Sequence, residues 1–244
     1  MAGNWKMYKT VSETTAFFER FCPLVDKAIG RDIVVCPTFI NLPAAVEATK
    51  GTRVEIGAQN VYWGKEGAFT GEICGPMLTA VGVKWVLVGH SERRQYFNET
   101  NETVLKRTQA ALEVGLNPIV CVGEKLEERE SGRTNALLQE QFDEGIAALT
   151  PEQFSKIVIA YEPVWAIGTG KTATPEIAQE THAHIRSLVK AKYGEQAASK
   201  LRILYGGSVK PDNTKALMSQ PDLDGVLVGG ASLDPASFAA IVGF

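Results

Sequence analysis

The sequence is poor in the features that mark many specialised classes of protein. Its four cysteines, Cys22, Cys36, Cys74 and Cys121, form no C-x-x-C pair, which argues against a zinc ribbon or a thioredoxin-like redox site. Cys36 and Cys121 lie inside apolar, strand-like runs. There a cysteine serves as a small core residue, and a reducing, cytoplasmic setting is expected. Basic charge is not in excess: 25 Lys plus Arg stand against 28 Asp plus Glu, a formal net charge of −3. That balance speaks against nucleic acid or an anionic membrane as the main partner. No apolar run reaches the length of a membrane span, and the opening stretch MAGNWKMYKT has no signal-like apolar core. No linker or low-complexity tract interrupts residues 1–244, which read as one domain. With 45% apolar and 22% charged residues, such a chain can bury a large core without disulfides or a structural metal.

What the sequence does contain is a rhythm. Eight short apolar runs recur: Ala2 to Trp5, Ile33 to Cys36, Val54 to Ala58, Trp85 to Gly89, Pro118 to Val122, Ile157 to Tyr161, Arg202 to Tyr205 and Gly225 to Val228. Most are continuously apolar rather than alternating, as suits parallel strands covered by helices. Helix signals fill the gaps. Thr174-Pro175 pairs an N-cap with proline at the first helical position, Gly194 marks the far end, and Asp234-Pro235 repeats the start signal. Phe17, Phe18, Phe21, Leu24 and Val25 predict an apolar stripe on the first helix. Val104, Leu105, Ala111 and Leu112 predict a second such helix, ended by Gly115. Eight strand–helix units in this length predict a (β/α)8 barrel with eight parallel strands. An open doubly wound sheet usually carries G-x-G-x-x-G after its first strand, and none follows Ala2 to Trp5.

The chemistry collects after the strands. Asn4-Trp5-Lys6 ends the first run, His90-Ser91-Glu92 follows the fourth, and Glu162-Pro163 follows the sixth. Gly206-Gly207-Ser208 and Gly229-Gly230 follow the seventh and eighth. In a parallel barrel all these strand ends share one face, so residues distant in sequence converge on one pocket. A carboxylate at an apolar barrel mouth is partly desolvated, so Glu162 is expected to have a raised pKa and to act as a base. His90 is the only histidine at a strand end. His182 and His184, two apart on a predicted helix, point to different faces and read as surface or packing residues rather than metal ligands. The two glycine pairs, with the Ser208 hydroxyl, suit close backbone approach to a phosphate. A third glycine stretch, from Ile167 to Thr172, falls short of the P-loop pattern because Trp165 stands where its first glycine belongs. Nucleotide binding is therefore a weak alternative, and the stretch reads better as a lid.

These motifs resemble one family closely. Asn4-Trp5-Lys6-Met7, Val88 to Arg94, Ala160 to Gly170, Tyr205 to Ser208 and Leu227 to Ser232 are similar to those of the triosephosphate isomerases, in the family's order and spacing over essentially the whole chain. The resemblance implies a single-domain TIM barrel that interconverts dihydroxyacetone phosphate and D-glyceraldehyde 3-phosphate in glycolysis and gluconeogenesis, with no cofactor and no metal. It implies Glu162 as the base, neutral His90 as hydrogen-bond donor to the enediolate oxygens, and Asn4 and Lys6 as polar and cationic support. Gly168, Ser208, Gly229 and Gly230 match phosphate-binding positions, and Ile167 and Leu227 match an apolar clamp over Glu162. The lid would be Pro163, Val164, Trp165, Ala166, Ile167, Gly168, Thr169, Gly170, Lys171, Thr172 and Ala173. Ser91 and Glu92 match supporting positions, Glu92 either steadying Lys6 or anchoring its loop. Cys121 also matches a position near the site, but packing is the better reading of a thiol with nothing nearby to ionise it.

The stretch Val61 to Pro76 is a long loop with Tyr62, Trp63 and Phe69, and such loops are usually functional. In the family it reaches a second subunit, with Thr70 at the tip, so a homodimer is expected. The chain departs from the family pattern at its start, where Met1 lies three residues before Asn4. The first strand should therefore be short, which puts closure of the barrel's N-terminal end in question. Tyr8-Lys9 also replaces the small and polar residues common after Lys6. Other phosphate-binding barrel enzymes fit less well. A Schiff-base aldolase would need a lysine at an inner strand end, and Lys6 is the sole candidate. An epimerase often needs a metal or two opposed acids, and a non-catalytic scaffold leaves the Glu–His set unexplained.

Overall fold

The computed structural model describes residues 1–168 and 172–244. Eight strands run in chain order: β1 (Ala2–Asn4), β2 (Ile33–Cys36), β3 (Val54–Ala58), β4 (Trp85–Val88), β5 (Asn117–Val122), β6 (Val158–Tyr161), β7 (Ile203–Tyr205) and β8 (Gly225–Val228). Each pairs in parallel with the next, and β8 closes back on β1. The (β/α)8 barrel read from the sequence is the architecture found. β1 is short, with 3 residues, yet it pairs on both edges. Ala2, Gly3 and Asn4 face Val34, Val35 and Cys36, while Ala2 and Gly3 face Leu227 and Val228. The barrel is therefore closed despite the short strand. Gly3 also leaves room for the turn beyond β8, because a Cβ there would come within 2.9 Å of the Ser232 Cβ.

Both faces of the sheet are buried, which explains the continuous apolar runs. On β4, Trp85 and Leu87 point into the barrel while Val86 and Val88 meet the helices; on β5, Ile119 and Cys121 point inward while Val120 and Val122 point outward. Each fully buried Val, Leu or Ile side chain contributes roughly 1.5–3 kcal/mol, so the two layers together supply the driving force for closure.

The helices start and stop where local chemistry directs. Val11–Val25 opens with Thr10 and Glu13 capping each other: the Glu13 N–H donates to Thr10 Oγ1 at 3.4 Å and the Thr10 N–H to Glu13 Oε2 at 2.7 Å. Phe17, Phe18, Phe21 and Val25 are buried, but Leu24 is exposed, contrary to its assignment to the stripe. At 3.6 residues per turn the buried face centres on Thr14 and Phe21, and Leu24 falls on its flank. The helix Pro175–Tyr193 begins at the Thr174 cap and ends at Gly194, whose φ of +86° suits glycine. Asp234 caps Pro235–Val242 by accepting from the Ser237 N–H at 2.8 Å. His182 is buried and His184 partly so, on different sides of their helix. Among the described residues no helix is long and apolar enough to cross a membrane.

Candidate active site

The C-terminal strand ends surround a pocket of about 510 Å3. Asn4, Lys6, His90, Glu162, Ile167, Gly168, Ser208, Leu227, Gly229 and Gly230 all line it, although they come from the ends of five different strands. Tyr8 and Ala231 line it as well, as do Lys210 and Leu233, which were not singled out in the sequence. Ser91 and Glu92 stand behind this lining and act on it through their neighbours.

Glu162 follows β6 and is 1% exposed. Its backbone is seated by an N–H bond to the Val122 carbonyl at 2.8 Å. Two glycines make that seat possible. A Cβ on Gly123 would lie 1.8 Å from the Glu162 carbonyl oxygen, and one on Gly206 would lie 3.0 Å from Glu162 Cγ. Gln141 pins Gly123 from outside, accepting its N–H at 2.8 Å and donating to its carbonyl at 2.9 Å. The carboxylate accepts from the Ser91 N–H at 2.9 Å and from the Ser91 hydroxyl at 3.2 Å, and meets His90 Nε2 at 2.9 Å.

These contacts reverse the expected pKa. Burial pushes the Glu162 carboxyl up, but His90 and the Ser91 donors outweigh it and hold the group below the usual carboxylate range. The sequence argument had only the burial to work with. Burial also presses the His90 pKa down, while Glu162 beside it draws it above the ordinary histidine value. The tautomer follows from the other ring nitrogen. His90 caps the helix Ser91–Tyr96, and its Nδ1 accepts the Glu92 N–H at 3.2 Å. A proton on Nδ1 would oppose that bond, and the positive end of the helix disfavours an imidazolium. In its neutral form the ring therefore carries its proton on Nε2, aimed at Glu162 and the pocket.

Lys6 is held in a conformation rare for a residue with a side chain, φ +51°. Its N–H donates to Asn4 Oδ1 at 3.0 Å, its carbonyl accepts from Gln59 Nε2 at 2.8 Å, and its Nζ pairs with Glu92 Oε1 at 2.5 Å. Of the two roles open to Glu92, the geometry shows the pairing with Lys6. A Cβ on Gly229 would lie 3.5 Å from Lys6 Cε, so the lysine stem runs beside the loop after β8. Across the pocket Asn213 ties the loop after β7, donating to the Ser208 carbonyl at 3.0 Å and accepting from the Lys210 N–H at 2.8 Å. Trp5 joins the two ends of the chain through an indole N–H bond to the Ser232 carbonyl at 3.0 Å.

The stretch assigned as a lid leaves β6 through Pro163 into a short 3-10 turn, Val164–Ala166. Ile167 and Gly168 reach the pocket, and Ala173 is buried at the other end. Thr169, Gly170 and Lys171 lie outside the described residues. The sequence reading missed the acid that holds the near end. Glu124 is fully buried, its carbonyl accepts the Val164 N–H at 2.9 Å, and its Oε1 accepts from the Trp165 indole at 2.9 Å and the Tyr161 hydroxyl at 3.0 Å. Burial pushes its carboxyl above the usual range. Its position two residues past β5, one further than Glu162 lies past β6, was the available signal. Cys121 is buried inside the barrel, and burial raises its thiol pKa well above the ordinary value, as packing rather than nucleophilic chemistry requires.

Residues 1–244 match the family model described as triosephosphate isomerase. A triosephosphate isomerase of Solibacter usitatus is 70% identical over 244 residues, covering 100% of this chain and 98% of the relative. One from Citrifermentans bemidjiense is 55% identical over 242 residues, covering 99% of this chain and 96% of the relative. One from Clostridium botulinum is 55% identical over 244 residues, covering 100% and 98%. A likeness of this extent, over a closed parallel barrel whose motifs meet in one pocket, shows that the chain belongs to the triosephosphate isomerase family.

Proposed function

We propose that the chain interconverts dihydroxyacetone phosphate and D-glyceraldehyde 3-phosphate by moving one proton between adjacent carbons through an enediolate. The observation that carries this reading is the buried Glu162–His90 pair, 2.9 Å apart, on the wall of a pocket that also holds Lys6 and the loops after β7 and β8. The phosphate sits against Gly168, Ser208, Gly229 and Gly230, with the Lys6 ammonium beside it. Glu162 leaves its Ser91 donors, turns into the pocket and takes the proton next to the carbonyl. The electron pair of that C–H bond becomes the enediolate double bond, and the negative charge falls on oxygens that face His90 Nε2–H and Asn4. Glu162 then returns the proton to the neighbouring carbon. His90 donates as a neutral imidazole, a weaker acid that does not surrender its proton to the intermediate.

A positioned base is worth roughly 10²–10⁴ in rate, and one preorganised donor about 10²–10³. Ile167 and Leu227 provide the apolar cover that excludes water when the lid residues Pro163 to Ala173 close over substrate. Every step is a proton transfer between groups already named, so none calls for a cofactor. The setting that fits this activity is cytoplasmic, in glycolysis and gluconeogenesis.

The test is the conversion of glyceraldehyde 3-phosphate in metal-free buffer containing chelator, with wild type beside Glu162→Gln. Turnover by wild type that collapses in the variant, while a phosphate-bearing ligand still binds, supports the base. Equal rates in both would mean that Glu162 is not it.

A homodimer completes the reading. Met7, Ile40, Phe69, Tyr96 and Phe97 are exposed apolar residues that follow β1, β2, β3 and β4, so they cluster along one side of the same rim. Thr70 lies in the loop between them, which is braced by a Tyr62–Cys74 bridge and by Tyr62 packed on Trp63 and Phe69 at 4.2 and 4.6 Å. Light scattering should give twice the 26.4 kDa chain mass; a stable, active species of single mass would overturn it.

A further inference from the structure

Glu162 is a partition between two cavities. In front is the pocket for substrate; behind it lies a second cavity of about 240 Å3, bounded among others by Ser91, Arg94, Gln95, Leu137 and Gln141. Among the described residues Glu162 is the one that lines both. Ser91, Arg94, Gln141 and Glu162 set polar groups in its otherwise mainly apolar wall, and its volume far exceeds the about 10–15 Å3 that one water requires, so it has room for water. Gln95 and Lys125, which also line it, are exposed, and the cavity opens to solvent between the helices Ser91–Tyr96 and Thr134–Gly145.

Two details give the rear cavity a purpose. The first concerns what the lid covers. Ile167 and Gly168 line the front pocket, whereas among the described residues of the lid stretch only Val164 lines the rear cavity, and its N–H is tied to the Glu124 carbonyl at 2.9 Å. The described part of the lid thus covers the front and not the back. The second concerns Ser91, which lines the rear cavity but not the front one. Its hydroxyl is 3.2 Å from Glu162 Oε1, so it links the carboxylate to the water behind.

We propose that this rear cavity is the route by which the base exchanges its proton with solvent while substrate is enclosed. The inference rests on Glu162 being the base. When the substrate C–H bond breaks, its electron pair enters the enediolate and the proton becomes the carboxylic hydrogen of Glu162. The protonated Glu162 turns back to its seat against Ser91, whose hydroxyl accepts that hydrogen and passes its own to cavity water. The reverse passage returns a solvent hydrogen to Glu162, and this one forms the new C–H bond. One substrate hydrogen is replaced by one from water, with no net change of charge. The route also sets a limit on fidelity, since proton leakage is what an enclosed site otherwise prevents.

The experiment is isomerisation of glyceraldehyde 3-phosphate in D2O, with NMR giving the fraction of dihydroxyacetone phosphate that carries deuterium. Leu137→Phe fills the rear cavity from one wall, and Gln95→Trp obstructs its rim from an exposed position on the other. Neither residue lines the front pocket, so turnover should stay near wild type. The deuterated fraction should fall by about twofold or more in each variant, because the blocked base returns the hydrogen it took. Near-normal turnover with an unchanged deuterated fraction in both variants would overturn the route and leave the base intact. A folded wild type without turnover would overturn the base assignment and this inference together.

Discussion

The two ends of the barrel hold buried charge in opposite ways. At the mouth, Glu162 is surrounded by the His90 ring and the two Ser91 donors, and among the described residues no lysine or arginine is bonded to it. At the floor, Arg186 is saturated. It donates to Asp222 Oδ1 at 2.6 Å, to Asp224 Oδ2 at 2.8 Å, and to the Ala198, Leu201 and Asp222 carbonyls at 2.7, 3.0 and 3.1 Å. Arg202 and Asp32 form a further floor pair at 2.5 Å. Backbone strain is divided in the same way. The non-glycine residues with positive φ among those described, Lys6, Lys9 and Asn98, all lie in loops beyond C-terminal strand ends. A group that must turn toward substrate cannot be locked in ion pairs, whereas a group that only joins elements gains from every bond it makes. Strain and unneutralised charge at the mouth are tolerated because the floor and the helix layer over-determine the fold.

The largest expected effect sharpens this division. Glu162→Gln should lose roughly 10²–10⁴-fold in turnover while its unfolding free energy stays within about 1 kcal/mol of wild type, measured by urea unfolding beside the kinetic assay. A large loss of stability would mean that the mouth carries structural weight denied to it here. The floor should behave in reverse. Arg186→Ala removes the cation shared by two partly buried carboxylates, leaving them the neutral Gln179 amide and Ile203 N–H donors, and should cost about 3 kcal/mol of stability, with turnover per folded molecule unchanged.

The smallest effect lies between the ends. His182 packs edge-on to Tyr161 with ring centres 5.7 Å apart, and its Nδ1 meets the Asp222 carbonyl at 3.2 Å. Burial lowers its pKa from 6.5 to about 4. Between these values the unfolded chain binds more protons than the folded one, so stability rises with pH across the window. This contribution is fully present above pH about 6.5, falls away as the pH drops towards 4, and should amount to about 1–3 kcal/mol. Urea titrations at stepped pH should show the slope, and His182→Gln should flatten it.

Much of this molecule was legible before any coordinate. Hydrophobic runs and caps are local signals, so β2, β3 and β8 have the limits read for them, and the helix after the lid starts at Pro175 and ends before Gly194. The residues for chemistry were legible because a parallel barrel places every strand end on one face. The misreadings came from neighbours that the chain order does not announce. Leu24 was assigned to a buried stripe because its flank position depends on where the barrel wall lies. His182 could be read as surface or packing, because only its contacts with Tyr161 and Asp222 show it buried. Glu124 was passed over because its partners Tyr161 and Trp165 lie 37 and 41 residues away.

The sequence by itself determined the strand–helix rhythm, the short first strand and the set of residues that gather at the mouth. Each of these depends on side-chain periodicity, on the preferences of capping residues, or on the single fact that parallel strands point the same way. The tertiary structure alone decided the electrostatics. The Glu162 carboxyl is held low rather than raised, His90 carries its proton on Nε2, and a second cavity lies behind the base. Those outcomes are balances between desolvation and donors separated by as many as 71 residues, and such a balance exists only once folding has set the distances.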